Sequence, residues 1–95
     1  MAQMDLEIIS PDKVLAKETQ VKSILIPAKW GQMEILPDYA DFVTILSQGS
    51  LVYKKEGNEN SFQITGGLLT IVKNQVTILV DGTLATVTPI TQNKK

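Results

Sequence analysis

Apolar and polar residues alternate along much of this chain, the pattern of a strand with one buried face. Val76, Ile78 and Val80 share one side of Gln75–Val80, and Phe62 and Ile64 do the same in Ser61–Thr65. Met33 and Ile35 point one way in Gln32–Ile35 while Gln32 and Glu34 point the other; Met4, Leu6 and Ile8 form a similar first stripe. β-Branched residues crowd these segments, and their stiff χ1 rotamers pack well on a pleated surface.

Turn chemistry separates the stripes at short intervals: Ser10-Pro11-Asp12, Gln48-Gly49-Ser50, Glu56-Gly57-Asn58, Lys73-Asn74 and Asp81-Gly82. Lys54–Asn60 reads as a solvated hairpin loop between Leu51–Tyr53 and the Phe62 strand. Lys73-Asn74 predicts a tight hairpin joining Leu69–Val72 to the Val76 strand. Asp38–Asp41 has room for one helical turn, and no window carries a long helical period. Short strands with frequent turns predict an all-β fold, an antiparallel β-sandwich of two packed sheets, over residues 1–82. In residues 83–95 we expect an edge strand limited by Pro89, then a polar tail.

Composition narrows the functional classes. The chain has 95 residues, enough for one domain, and 43% of them are hydrophobic, enough for a core. Basic and acidic residues nearly cancel, at a formal net charge of -1, so the electrostatic footprint of a nucleic-acid binder is missing. Without cysteine or histidine there are no disulfides, thiolate metal sites or imidazole bases. Met1–Asp5 does not read as a secretory signal, and no apolar run approaches the ~18 residues of a membrane span. We therefore expect a soluble, intracellular protein with no catalytic residues, no metal site and no cofactor.

Glu34, Asp38 and Asp41 are close in sequence, but their spacing matches neither a calcium loop nor an acid–base pair, so turn carboxylates are expected. Gly66-Gly67 is followed by Leu68-Leu69 and not by a Lys-Ser/Thr step. It therefore predicts a tight bend where a neighbouring backbone comes close, not a phosphate cradle. Trp30, the one tryptophan, has two readings: a plug closing one end of the sandwich, or an exposed aromatic anchor for a partner. By residue type alone, Ser10 and Thr44 are ordinary turn and strand positions.

The order Leu6-Glu7-Ile8-Ile9-Ser10-Pro11, then Trp30–Thr44, then Thr65-Gly66-Gly67 resembles the epsilon subunit of F-type rotary ATP synthase. The family's central signature resembles Gly-Glu-Leu-Gly-Ile-x-Pro-Gly-His-Ala-Pro-x-x-Thr. Gly31, Ile35, Pro37, Ala40 and Thr44 match it. Gln32 replaces the glutamate, Met33 the leucine, Glu34 and Asp38 two glycines, Tyr39 the histidine and Asp41 a proline. Asp tolerates the unusual backbone angle a turn requires, so Asp38 departs only mildly. The resemblance runs from about Leu6 to Asp81.

The resemblance implies a β-sandwich followed by a C-terminal helical hairpin. Nothing like that hairpin follows Asp81, so helical inhibition and nucleotide sensing are not carried over and no ATP binding is expected. It further implies a non-catalytic rotor subunit, peripheral on the cytoplasmic face of an energy-transducing membrane without inserting into it. Its partners are the gamma subunit and the c-ring. Gln32, with its neighbour Trp30, is implied to touch the ring, and Ser10, Tyr39, Thr44 and Thr65 to lie towards gamma. The alternative is a free-standing sandwich module binding carbohydrate or peptide, for which 5% aromatic residues is a poor platform.

Overall fold

The computed structural model of the chain describes residues 3–81 and the short strand at Thr88–Pro89. Among the described residues ten strands make up the fold, and no helix occurs. In chain order they are β1 (Met4–Ile9), β2 (Val14–Val21), β3 (Ser23–Ala28), β4 (Gly31–Ile35) and β5 (Phe42–Leu46). These are followed by β6 (Gly49–Lys55), β7 (Asn58–Ile64), β8 (Gly67–Val72), β9 (Gln75–Val80) and β10 (Thr88–Pro89).

Neighbouring strands run in the order β10-β7-β6-β3-β5-β8-β9-β1-β2, with β4 also on β3. The sheet is weakest at β3 and β5, joined through the single register pair Ala28↔Leu46. There the Ser47 N–H donates to the Pro27 carbonyl at 2.7 Å. This corner folds the sheet into two layers, β10, β7, β6, β3 and β4 against β5, β8, β9, β1 and β2. The expected sandwich is thus present.

The predicted stripes line the interior: Met4, Leu6, Ile8, Ile35, Phe62, Ile64, Val76, Ile78 and Val80 are buried, and Met33 packs against them half-buried. Lys73 and Asn74 close β8 to β9 with both residues left-handed (φ 47° and 65°), the geometry of a two-residue hairpin.

In four places the structure differs from the sequence expectation. The β1–β9 ladder is parallel, Asp5↔Gln75 through Ile9↔Leu79. Parallel and antiparallel strands share a period of two, so alternation carries no direction. The Lys54–Asn60 loop shrinks to a turn at Glu56-Gly57, because the strands stay paired through Lys55↔Asn58. Residues 36–39 make a β-turn and no helical turn: the Tyr39 N–H donates to the Leu36 carbonyl at 3.2 Å, with Pro37 and left-handed Asp38 (φ 69°) at its centre. Strands β2, β3 and β5 have no clean stripe: β2 is a bulged edge, and β3 and β5 carry apolar residues on both faces. Of the expected 83–90 edge strand, β10 pairs with β7 through Thr88↔Ser61 and Pro89↔Asn60; the rest of 83–95 lies outside the described residues.

Edge strand β2 is tied across to β6. Glu18 accepts from the Tyr53 hydroxyl and from Lys55 Nζ, both at 3.0 Å. The Lys55 bond holds the Glu18 carboxyl below the usual carboxylate range, reinforced by the Tyr53 bond and opposed by burial. Burial, with the adjoining Glu18 carboxylate, pushes the Tyr53 hydroxyl up to about 12.

Two predictions follow from these contacts. A Cβ on Gly67 would run into the Leu79 carbonyl oxygen and sit 3.0 Å from Val80 Cα, and neither backbone can swing aside. Gly67→Ala should therefore cost more than about 2 kcal/mol in urea unfolding; a change under about 0.5 kcal/mol would contradict this crowding. The second concerns pH. Glu18 is depressed on folding, so its stabilisation is present at neutral pH and declines as the pH falls below about 4.5. Tyr53 is raised on folding, so its share is complete below pH 10 and is lost as the pH rises towards 12. Glu18→Gln should lower stability at pH 7 by about 1 kcal/mol and flatten the acid limb. Tyr53→Phe should flatten the alkaline limb of the Tm profile. Variant profiles parallel to wild type at both extremes would contradict a stabilising role for the Glu18–Tyr53 and Glu18–Lys55 bonds.

Candidate functional site

The register distributes the six sequence-predicted residues over two ends and one strand. Ser10, Trp30, Gln32 and Thr65 lie towards the end where Ala28, Leu46, Gly67 and Val80 are in register, one residue beyond the Ile9–Leu79 pair. Tyr39 is at the opposite end, beside the 73–74 turn, and Thr44 sits midway along β5.

Ser10 shapes the β1–β2 turn: its Oγ accepts from the N–H groups of Asp12 (3.3 Å) and Lys13 (3.2 Å) and donates to the Lys13 carbonyl (3.1 Å). Lys29 and Trp30 form the tip of the β3–β4 hairpin, between paired Ala28 and Gly31. Trp30 is 88% exposed, which excludes the end-plug reading, and Lys29 Nζ stands 5.3 Å from its ring centroid. Gln32 and Glu34 face solvent on β4, while Ile35 is fully buried. Thr65 is exposed next to Gly66, where an added Cβ would come within 3.4 Å of the Leu46 carbonyl.

Thr44 is half-buried, in register with buried Leu69, Ile78 and Ile8. Its neighbours Val43 and Ile45, 62% and 61% exposed, face outwards instead. Ile45 pairs with Leu68, Leu68 with Leu79, Leu79 with Ile9, and Ile9 with Val14. An unbroken apolar row therefore crosses the outer face of the second layer, with Leu79 still 45% exposed and Val43 beside it; Val72 lies beyond Thr70 on the same face. Sequence reasoning did not pick out this row, because its members sit on different strands and only the pairing register aligns them.

The three acidic residues do not converge into a carboxylate pair. Asp38 and Asn74 bond twice: the Asp38 N–H donates to Asn74 Oδ1 at 2.6 Å, and Asn74 Nδ2 donates to Asp38 Oδ1 at 2.9 Å. Asp41 Oδ1 accepts from the Lys73 N–H at 2.8 Å. Among the described residues no cluster of His, Cys, Asp or Glu could hold a metal ion. Exposed Trp30 and Tyr39 occupy opposite ends, so the aromatic side chains form no shared sugar platform. Chemically, the arrangement offers an uncovered apolar surface and, among the described residues, no nucleophile–base constellation.

Comparison with known proteins identifies the fold's relatives. Residues 3–86 match the family described as ATP synthase, Delta/Epsilon chain, beta-sandwich domain. The chain is 33% identical over 81 residues to an ATP synthase epsilon chain of Symbiobacterium thermophilum, spanning 85% of this chain and 58% of that one. A second epsilon chain, from Roseiflexus sp., is 40% identical over 76 residues, spanning 80% and 54%. The chain thus spans little more than half the length of these relatives. Among solved structures, a chain of the Euglena gracilis mitochondrial ATP synthase OSCP/F1/c-ring assembly superposes with a TM-score of 0.81 at 24% identity, covering 99% of this chain and 57% of that one. A chain of the Tetrahymena thermophila mitochondrial ATP synthase central stalk/c-ring gives 0.70 at 20% identity, covering 83% and 63%. These likenesses confirm the fold. Since the family match runs through β1 to β9, the chain belongs to the ATP synthase delta/epsilon chain family, of which it carries the beta-sandwich domain.

Proposed function

We propose that the chain is a non-catalytic rotor subunit of a proton-driven ATP synthase. It grips the gamma shaft, rests on the c-ring and so couples ring rotation to ATP synthesis. The observation that carries this reading is the apolar row from Ile45 to Val14, an uncovered surface on a chain of this family. Gamma lies over that face, with Ser10 beside the Val14 end of the row, Thr65 near the Ile45 end, Tyr39 at the far end of the same layer and Thr44 behind Val43 and Ile45. The ring meets the β3–β4 hairpin through Trp30 and Gln32. The subunit works at the cytoplasmic face of the membrane as a peripheral component, binding no nucleotide. Its similarity to ATP synthase epsilon chains supports this role.

Mechanically, the proposal needs a body that transmits force without repacking. A close-packed interior has low compressibility, so load applied at the hairpin tip reaches the outer face with little loss.

The prediction separates surface from core. Ile45→Glu should weaken capture of purified gamma at least tenfold, while thermal stability stays within about 0.5 kcal/mol of wild type. Gln32→Lys should reduce reconstituted proton-coupled ATP synthesis with similarly intact folding. Ile35→Asp should unfold the domain, because it buries an unpaired charge. Wild-type gamma capture by Ile45→Glu would show that the shaft docks elsewhere.

A further inference from the structure

The segment Leu36–Asp41 carries the chain from β4 in the first layer to β5 in the second, and it places Leu36 and Tyr39 in solvent. Tyr39 leans on Phe42, with ring centroids 5.2 Å apart and planes tilted by 37°. What fixes this loop is the turn between β8 and β9. Asn74 bonds Asp38 through both ends of its side-chain amide, and Asp41 takes the Lys73 N–H. The carbonyl of Asn74 accepts from the Asp5 N–H at 2.9 Å, so the start of β1 is held by the same residue.

We infer that Asp38, Asp41 and Asn74 are positioning residues, which clasp the 36–41 loop onto the 73–74 turn and preset Tyr39 for the partner docked on the outer face. The inference rests on the rotor reading proposed above. Local chain chemistry alone would leave this loop adaptable, since one turn hydrogen bond and one proline restrain it. The clasp adds three hydrogen bonds to a hairpin whose own strands are paired along their length. Asp38 and Asp41 also stand where the signature described above has glycine and proline. Here the Asp41–Lys73 bond supplies a restraint that proline supplies through its ring, and the Asn74 bonds hold Asp38 in the left-handed conformation that glycine reaches without steric cost. A loop ordered before encounter loses less freedom on docking, so the clasp acts on affinity more than on fold stability. Val72, exposed on β8 directly before the clasped turn, and Val43 on β5 adjoin it, which joins the clasp to the apolar face.

The test exploits the left-handed backbone at Asn74. Asn74→Gly keeps that conformation and removes the amide, so Tm should fall by less than about 5 °C. Amide exchange at Asp38 should accelerate in the free protein, and affinity for purified gamma should drop about tenfold. Asn74→Asp places two carboxylates together and should weaken gamma binding at least as much. The double variant Asp38→Asn with Asn74→Asp exchanges donor and acceptor and should restore binding to within about threefold of wild type. Unchanged gamma affinity in Asn74→Gly, or no rescue by the exchange, would overturn the inference. Wild-type protein that fails to bind gamma at all would overturn the rotor reading and the inference with it.

Discussion

The space between the two layers is filled by hydrocarbon, and among the described residues no polar or charged residue is buried there. Removing Leu6, Ile24, Ile26, Leu51, Leu69 and Ile78 from water is the main favourable contribution to folding. Because a strand sends successive side chains to opposite faces, dedicating one set to this interior leaves the other set free. Polar bonds that connect the layers are therefore confined to the rim. Glu18, Tyr53 and Lys55 fasten one edge, and the Ser47–Pro27 bond marks the corner at the other. The glycine pair 66–67 belongs to that corner too, since any side chain on Gly67 would force β8 and β9 apart.

How much of this was legible in the sequence depended on whether the signal was local. Met4, Leu6 and Ile8, or Val76, Ile78 and Val80, announce their face by alternation within one strand. Lys73-Asn74 and the close backbone approach at Gly67 were equally readable, because turn chemistry and missing side chains act over a few residues. Direction and partnership were not: the pairing of Ile9 with Leu79 joins opposite ends of the chain and runs parallel. Strands β3 and β5 hid behind continuous apolar runs, which say that both faces matter without saying why. That second face is the exposed row. In sequence Val43 and Ile45 look like core, and only the register shows Ile45 aligned with half-buried Leu68 and exposed Leu79. The family resemblance was legible earlier than any site, since collinear short matches survive where individual residues have changed.

The sequence-predicted positions prove to be parts of turns and tips more than members of one pocket. Ser10 builds a turn, Trp30 crowns a hairpin, and Tyr39 rides on a loop fastened by Asn74. Such a distribution agrees with the proposed rotor role, in which different neighbours are touched at different places. The interior keeps those contact points at fixed mutual positions.

The central claim is that one outer face, and not the other, receives the shaft. Methyl NMR of the labelled chain, titrated with purified gamma, tests it directly. The account predicts perturbed or broadened methyls of Ile9, Ile45, Leu68 and Leu79 on the second layer. Those of Leu25 and Val52, paired on the outward side of the first layer, should keep their free-state shifts. Perturbation of Leu25 and Val52 with an unchanged Ile45–Leu79 row would contradict it.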